Sequence, residues 1–150
     1  VEGGGVSADY PIIERLPTVE EHRAVFESVG WTPYAPEAAE IALRHSLYGV
    51  VVLHEGQVVG TGRVVGDGGK FFYIQDFAVR PEHQGRGVGT RMLEHLLAWI
   101  KGHAPHEPFV GLFATGVAIP FYRKYDFGER RDVLSGMWTV LPVDNTQPAP

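Results

Sequence analysis

Cysteine is absent from this chain. That absence removes disulfides, thiolate-bound metals and a covalent cysteine nucleophile from its available chemistry. Long apolar runs are absent too, as are a secretory signal and a transit-peptide composition, so the expected setting is cytoplasmic with no membrane partner. Basic residues are in the minority, 13 against 18 acidic ones, for a net charge of −5. Such a balance argues against a nucleic-acid partner, which would call for a basic face. The seven histidines show no ligand spacing, and no metal is expected.

Glycine is what the chain has in quantity, 19 in 150 residues, beside 11 prolines. Many turns and short elements should follow, in a single domain long enough for a hydrophobic core. The glycine-rich start, residues 1–9, and the proline-rich end, residues 142–150, read as flexible tails around a domain spanning 10–141.

Within that domain YPIIERL, Tyr10 to Leu16, reads as a first strand. Thr18 followed by Glu21 is a capping-box pattern opening a helix that Gly30 should stop. Val25, Phe26 and Val29 would form its buried stripe. The loop WTPYAP holds Trp31 and Tyr34, and PEAAEIALRHSL reads as a second helix. YGVVVLHE, QVVGTGRVVG and KFFYIQDFAV then form an antiparallel meander, with turns at Glu55-Gly56 and at Gly66 to Gly69. Arg63 and Asp67 read as a strand-end pair. Met92, Leu93, Leu96, Leu97 and Ile100 share one face of a long helix. EPFVGLFAT reads as a strand, GVAIPFYRKYDF as a short helix and RRDVLSGMWTVL as a final strand.

The segment HQGRGVGT, His83 to Thr90, lies between a strand and a helix. A helix start offers unpaired N–H groups and a positive dipole end, and glycines let that backbone approach an anion. Two common phosphate patterns fail. A P-loop needs G-x-x-x-x-G-K-[ST], but the chain's Gly-Lys pair, Gly69-Lys70, lies outside this segment, is followed by Phe71 and has Val64 where the first glycine would stand. The dinucleotide fingerprint on Gly85 and Gly87 requires glycine at 90, which is Thr90.

The spacing Q-x-x-G-x-G at Gln84, Gly87 and Gly89 resembles the pyrophosphate loop of the GNAT N-acetyltransferases. FAV, Phe77 to Val79, resembles the end of that family's central strand. FYRKYDF, Phe121 to Phe127, resembles its later F-Y-x-K-x-G-F motif. Asp126 stands where the family has glycine, and Asp tolerates the left-handed conformation better than most residues. Thr115 stands where many members have asparagine. The pattern from Gly30 to Gly89, including GDGG, FYIQD and QGRGVG, is similar to a subgroup of small bacterial single-domain members.

The resemblance implies an α/β (α+β) fold: a mixed, mostly antiparallel sheet of about six to seven strands flanked by about four helices. It implies acetyl-CoA as co-substrate and a primary amine as acceptor, on a small molecule or on a peptide or protein. Phe77, Ala78 and Val79 would pair with the pantetheine arm, with the Val79 N–H polarising the thioester carbonyl. Gln84, Gly85, Arg86, Gly87, Val88, Gly89 and Thr90 would hold the pyrophosphate, with Arg123 at the outer phosphates. Thr115 and Phe121 complete the implied cofactor contacts. Tyr122 matches the family's general acid. Asp76 is the one carboxylate on the central strand and the candidate base, with a structural hydrogen-bond acceptor as its other reading; strict alternation puts it on the face opposite Tyr73 and Gln75 unless a bulge turns it. A water held by Tyr73 and Gln75 is the alternative. Trp31 and Tyr34 are candidate acceptor-pocket walls. Homodimers are common in the family. A second class of function is a catalytically weak acyl-CoA-binding module.

Overall fold

Thr18 opens helix α1 (Val19–Ser28) by the reciprocal hydrogen bonds of a capping box: its hydroxyl accepts from the Glu21 N–H, and the Glu21 carboxylate accepts from the Thr18 N–H. Gly30, at φ 78°, follows the helix in the left-handed conformation that glycine tolerates. Helix α2 (Pro36–Arg44) begins on a proline, whose missing N–H costs nothing in a first turn. The structure, a computed structural model, describes residues 9–143. Nearly all of both expected tails lies outside that range. The described chain divides into a unit ending at Phe113 and a unit beginning at Ala114.

The first unit is built on a five-stranded sheet in the order β1-β2-β3-β4-β5. Strand β1 (Ile12–Ile13) is far shorter than the expected 10–16, because only Ile12 and Ile13 pair with β2 before the chain turns at Ile13–Arg15. Strands β2 (Tyr48–His54), β3 (Gln57–Gly66) and β4 (Phe71–Val79) form the expected antiparallel meander. Glu55 and Gly56, both at positive φ, close the first hairpin. Asp67 closes the next turn by accepting the N–H groups of Gly69, Lys70 and Phe71. It therefore does not pair with Arg63, contrary to the sequence reading.

Helix α3 (Val88–His103) carries the chain to β5 (Phe109–Gly111), which lies parallel to β4. Met92, Leu93, Leu96 and Ile100 are buried along α3, as their spacing predicts. Val25 of α1 packs with Val51, Val58 and Ala78 in a core cluster of this unit.

The second unit holds a short 3₁₀ turn (Gly116–Ala118) and helix α4 (Ile119–Arg123). The expected final strand is absent from the described residues. Within RRDVLSGMWTVL, Val133, Leu134, Met137, Trp138, Val140 and Leu141 are exposed, and the N–H groups of Val133 and Leu134 bond locally to the Arg130 carbonyl. Strand propensity largely expresses packing against cross-strand neighbours. Among the described residues this segment has no such neighbour within its unit, and the sheet has five strands, not about six to seven.

Candidate active site

Strand β4 contains a bulge. Arg63 pairs with Gln75 and Thr61 pairs with Ala78, so Gly62 alone opposes both Asp76 and Phe77. Asp76 absorbs the extra residue at φ 54°, in the left-handed region. Strict alternation places Asp76 opposite Tyr73 and Gln75. The bulge corrects that expectation by turning Asp76 to the side of Gln75, whose cross-strand partner is Arg63. Phe77 takes the other side. A Cβ added to Gly62 would stand 3.1 Å from Phe77 Cδ2 and 3.2 Å from Leu96 Cδ1 of α3. Glycine at 62 thus leaves room for the Phe77 ring between β3 and Leu96.

The Asp76 carboxylate is buried and receives three side-chain hydrogen bonds. Arg63 Nε donates to Oδ2 at 2.6 Å, His22 Nε2 donates to Oδ2 at 3.0 Å, and Tyr34 Oη donates to Oδ1 at 2.5 Å. Arg63 also donates to the Ala42 carbonyl and to Ser46 Oγ. Burial is the largest influence on Asp76 and opposes its ionisation. The hydrogen bonds from His22 and Tyr34 and the Arg63 charge together outweigh it and hold the carboxyl below the usual aspartate range. Burial, then the Asp76 carboxylate, push the Tyr34 phenol up to about 12, so it remains a donor.

Two members of this network, His22 and Arg63, were not foreseen as site residues. A signal for His22 was available: with Val25, Phe26 and Val29 it sits at i, i+3, i+4 and i+7 on the buried stripe of α1. The expected pocket walls stand nearby. Tyr34 meets Phe26 edge-on at 5.3 Å and His22 at 5.0 Å, and Trp31 meets Phe26 edge-on at 5.2 Å. The Tyr34 hydroxyl is therefore committed to Asp76. Tyr73 and Gln75 are half-buried on β4.

On its other edge β4 is only partly covered. Pairing with β5 runs from Phe71 to Tyr73 and stops at Gly111. Among the described residues Ile74 to Val79 continue past the end of β5 with no strand paired on that side, the kind of edge to which another extended chain can add. The glycine loop begins at the end of this open stretch. Gln84 Nε2 donates to the Val79 carbonyl at 2.8 Å, tying the loop to the strand.

Gly85 and Gly87 have φ of 73° and 78°. Gly87 is the N-cap of α3, where no side chain caps the helix and no acidic residue lies in the first turn. The N–H groups after Gly87 therefore keep their capacity for an external acceptor, at the positive end of a 16-residue helix. Gly89 and Thr90 lie in that first turn, and Arg86 is exposed beside it. The chemistry of this cradle suits an anion such as a pyrophosphate. Tyr10 buttresses the loop from behind: its hydroxyl bonds His83 Nδ1 at 2.9 Å, and Arg91 of α3 donates to its carbonyl. Burial and the neighbouring His54 hold the His83 imidazole below its ordinary value.

The remaining predicted residues belong to the second unit. Tyr122 is buried in α4, edge-on to Phe121 at 5.1 Å and to Phe127 at 5.9 Å. Burial pushes its phenol up to about 12. Asp126 adopts φ 65°, the left-handed role expected of it in place of glycine. Thr115 is exposed ahead of the 3₁₀ turn. Arg123, expected at the outer phosphates, is ion-paired with Glu129 at 3.0 Å on the surface. Among the described residues no group of three or more His, Asp or Glu could hold a metal ion, and no helix is long and apolar enough to cross a membrane.

Residues 16–127 match the model of the acetyltransferase (GNAT) family. An uncharacterized N-acetyltransferase of Porphyra purpurea is 29% identical over 116 residues, covering 75% of this chain and 66% of that protein. The chloroplastic serotonin N-acetyltransferase 2 of Oryza sativa subsp. japonica is 32% identical over 119 residues, covering 75% of this chain and 58% of that protein. The chain thus spans about two thirds or less of these curated relatives. A Staphylococcus aureus structure described as a probable acetyltransferase superposes with a TM-score of 0.82 at 32% identity, covering 88% of this chain and 99% of the other. Relatives therefore extend beyond the small bacterial subgroup expected from the motif pattern. The match across residues 16–127 shows that the chain belongs to the acetyltransferase (GNAT) family.

Proposed function

We propose that this protein moves the acetyl group of acetyl-CoA directly to a primary amine of a small molecule, in a ternary complex. The carrying observation is the continuity from the open edge of β4, through Val79 and Gln84, into the uncapped start of α3. In this reading the backbone of Phe77 to Val79 pairs with the extended pantetheine arm, and the N–H groups from Gln84 to Thr90 receive the pyrophosphate. Arg86 adds charge at the loop. Phe121 and Thr115 remain proposed cofactor contacts. Arg123 takes that role only by leaving Glu129.

The Val79 N–H would polarise the thioester carbonyl, and its advantage grows as charge develops on that oxygen. The acceptor amine must lose a proton, since a free amine has a pKa near ~10. Asp76 suits this task poorly, because three donors and its lowered pKa make it a weak base. We assign the proton's exit to water held by Tyr73, Gln75 and backbone carbonyls. Tyr122 stays protonated throughout the neutral range. A phenol near 12 is a weaker acid than a thiol near ~8.5, so its proposed part is a hydrogen bond to the departing sulfur as the C–S bond breaks. Without cysteine, no acyl-cysteine intermediate forms.

The aromatic group of Trp31, Tyr34 and Phe26 supports an acceptor with an apolar or aromatic body, and the rice relative's name points the same way. The test is release of CoA thiol from acetyl-CoA across a panel containing serotonin, aliphatic amines, polyamines and lysine peptides. Stimulation by at least one small amine is expected. Acetyl-CoA binding with no stimulation by any amine would overturn the proposal in favour of a binding module.

A further inference from the structure

We infer that Tyr34 is a positioning residue, tying the loop between α1 and α2 to the bulge of β4 through its hydrogen bond to Asp76. Three observations carry this. First, the bond joins two segments with different proposed duties. Tyr34 belongs to the loop with Trp31, on the acceptor side, whereas Asp76 immediately precedes Phe77 to Val79, the proposed donor strand.

Second, the carboxylate has a division of labour. Arg63 and His22 both bond Oδ2, while Tyr34 bonds Oδ1. The charge is already met by the buried Arg63, which is itself anchored to α2 through Ala42 and Ser46. Neutralisation alone therefore leaves the link to the loop unexplained.

Third, Asp76 holds a backbone conformation that glycine would adopt with less strain. Its side chain is the feature that glycine would lack, and that side chain is spent entirely inside this network. The bulge is thus clamped from β3, from α1 and from the loop. Release of the loop arm frees the bulge to relax, and with it the direction of the Phe77 to Val79 amides.

The role in transfer rests on the acetyltransferase reading; the mechanical link does not. The experiment compares the full chain with Tyr34→Phe, which keeps the ring's edge contacts with Phe26, and with Asp76→Gly, which keeps the positive φ. Amide hydrogen exchange should quicken by about tenfold or more in residues 31–35 and 77–79 of Tyr34→Phe. The amides of Leu93 and Leu96 in α3 should be unchanged. Unchanged exchange at 77–79, or an equal rise in α3, overturns the inference.

In assays with any amine the wild type accepts, Tyr34→Phe should lower kcat by about tenfold and weaken acetyl-CoA binding by a smaller factor, because the glycine cradle is untouched. The double variant should be no slower than the slower single one, as coupled residues require. Losses that multiply also overturn the link. Failure of the wild type with every amine would instead count against the enzyme reading, and the exchange data would still decide the link.

Discussion

Arg63 Nε lies 2.6 Å from Asp76 Oδ2, although the cross-strand partner of Arg63 is Gln75. The ion pair is diagonal because the bulge brings Asp76 to the same side. Both side chains are more than nine-tenths buried. A buried pair broken from one side leaves an uncompensated charge, so Asp76→Asn should lose about 2–4 kcal/mol at pH 7 in urea denaturation.

The pH dependence of that loss follows from the depressed pKa of Asp76. Its contribution is complete above the unfolded-state value of about 4 and is lost as pH falls through that value towards the lower folded one. The stability gap between wild type and Asp76→Asn should therefore be constant from pH 7 to 5 and narrow below about 4. A gap that widens in acid would contradict the ionised assignment.

Tyr122→Phe removes one hydroxyl and keeps the ring against Phe121 and Phe127. Turnover should fall on the order of 10²-fold, the usual scale for one lost hydrogen bond to charge developing in the transition state, while acetyl-CoA affinity is kept. Because Tyr122 is pushed up to about 12, any rise in rate between pH 6 and 9 belongs to deprotonation of the acceptor and should persist in the variant. Stopped or steady-state release of CoA thiol measures both. Equal activity would remove Tyr122 from the chemistry.

Gly87 at φ 78° caps α3. Valine at that position meets a backbone conformation that β-branched residues avoid and places methyl groups beside the open N–H groups. Gly87→Val should abolish acetyl-CoA binding in calorimetry, with circular dichroism little changed. Retained binding would reduce the loop to a turn.

Gly102 supplies the contrast. It lies near the end of α3, and a Cβ there would meet nothing within 4 Å. Gly102→Ala should stabilise the chain by up to about 1 kcal/mol, from helix propensity alone, and leave acetyl-CoA binding intact. Thermal unfolding with and without acetyl-CoA checks both halves.

Much of the first unit is local in origin, and local order is what a sequence displays. The Thr18–Glu21 box, the hairpin at Glu55-Gly56, the apolar stripe of α3 and the glycines of the cradle each act within a few residues. They were legible for that reason, as was the left-handed Asp126. The motifs Gln84 to Gly89 and Phe121 to Phe127 carried the family on the same terms.

What needed the tertiary structure was whatever depends on a distant partner. The segment RRDVLSGMWTVL has strand composition but no strand beside it within its unit, and composition cannot supply one. Arg63 looked paired with Asp67, close in sequence, but Asp67 closes a turn with backbone N–H groups. The decisive case is the bulge. Alternation along KFFYIQDFAV puts Asp76 and Gln75 on opposite faces. A single unmatched residue against Gly62 puts them on one side and seals Asp76 among His22, Tyr34 and Arg63. The sequence by itself determined the family, the glycine loop before α3 and the helices, because each is written in short-range spacing. Only the tertiary structure decided that the central strand's one carboxylate is an anchor, because register and burial are properties of packed strands.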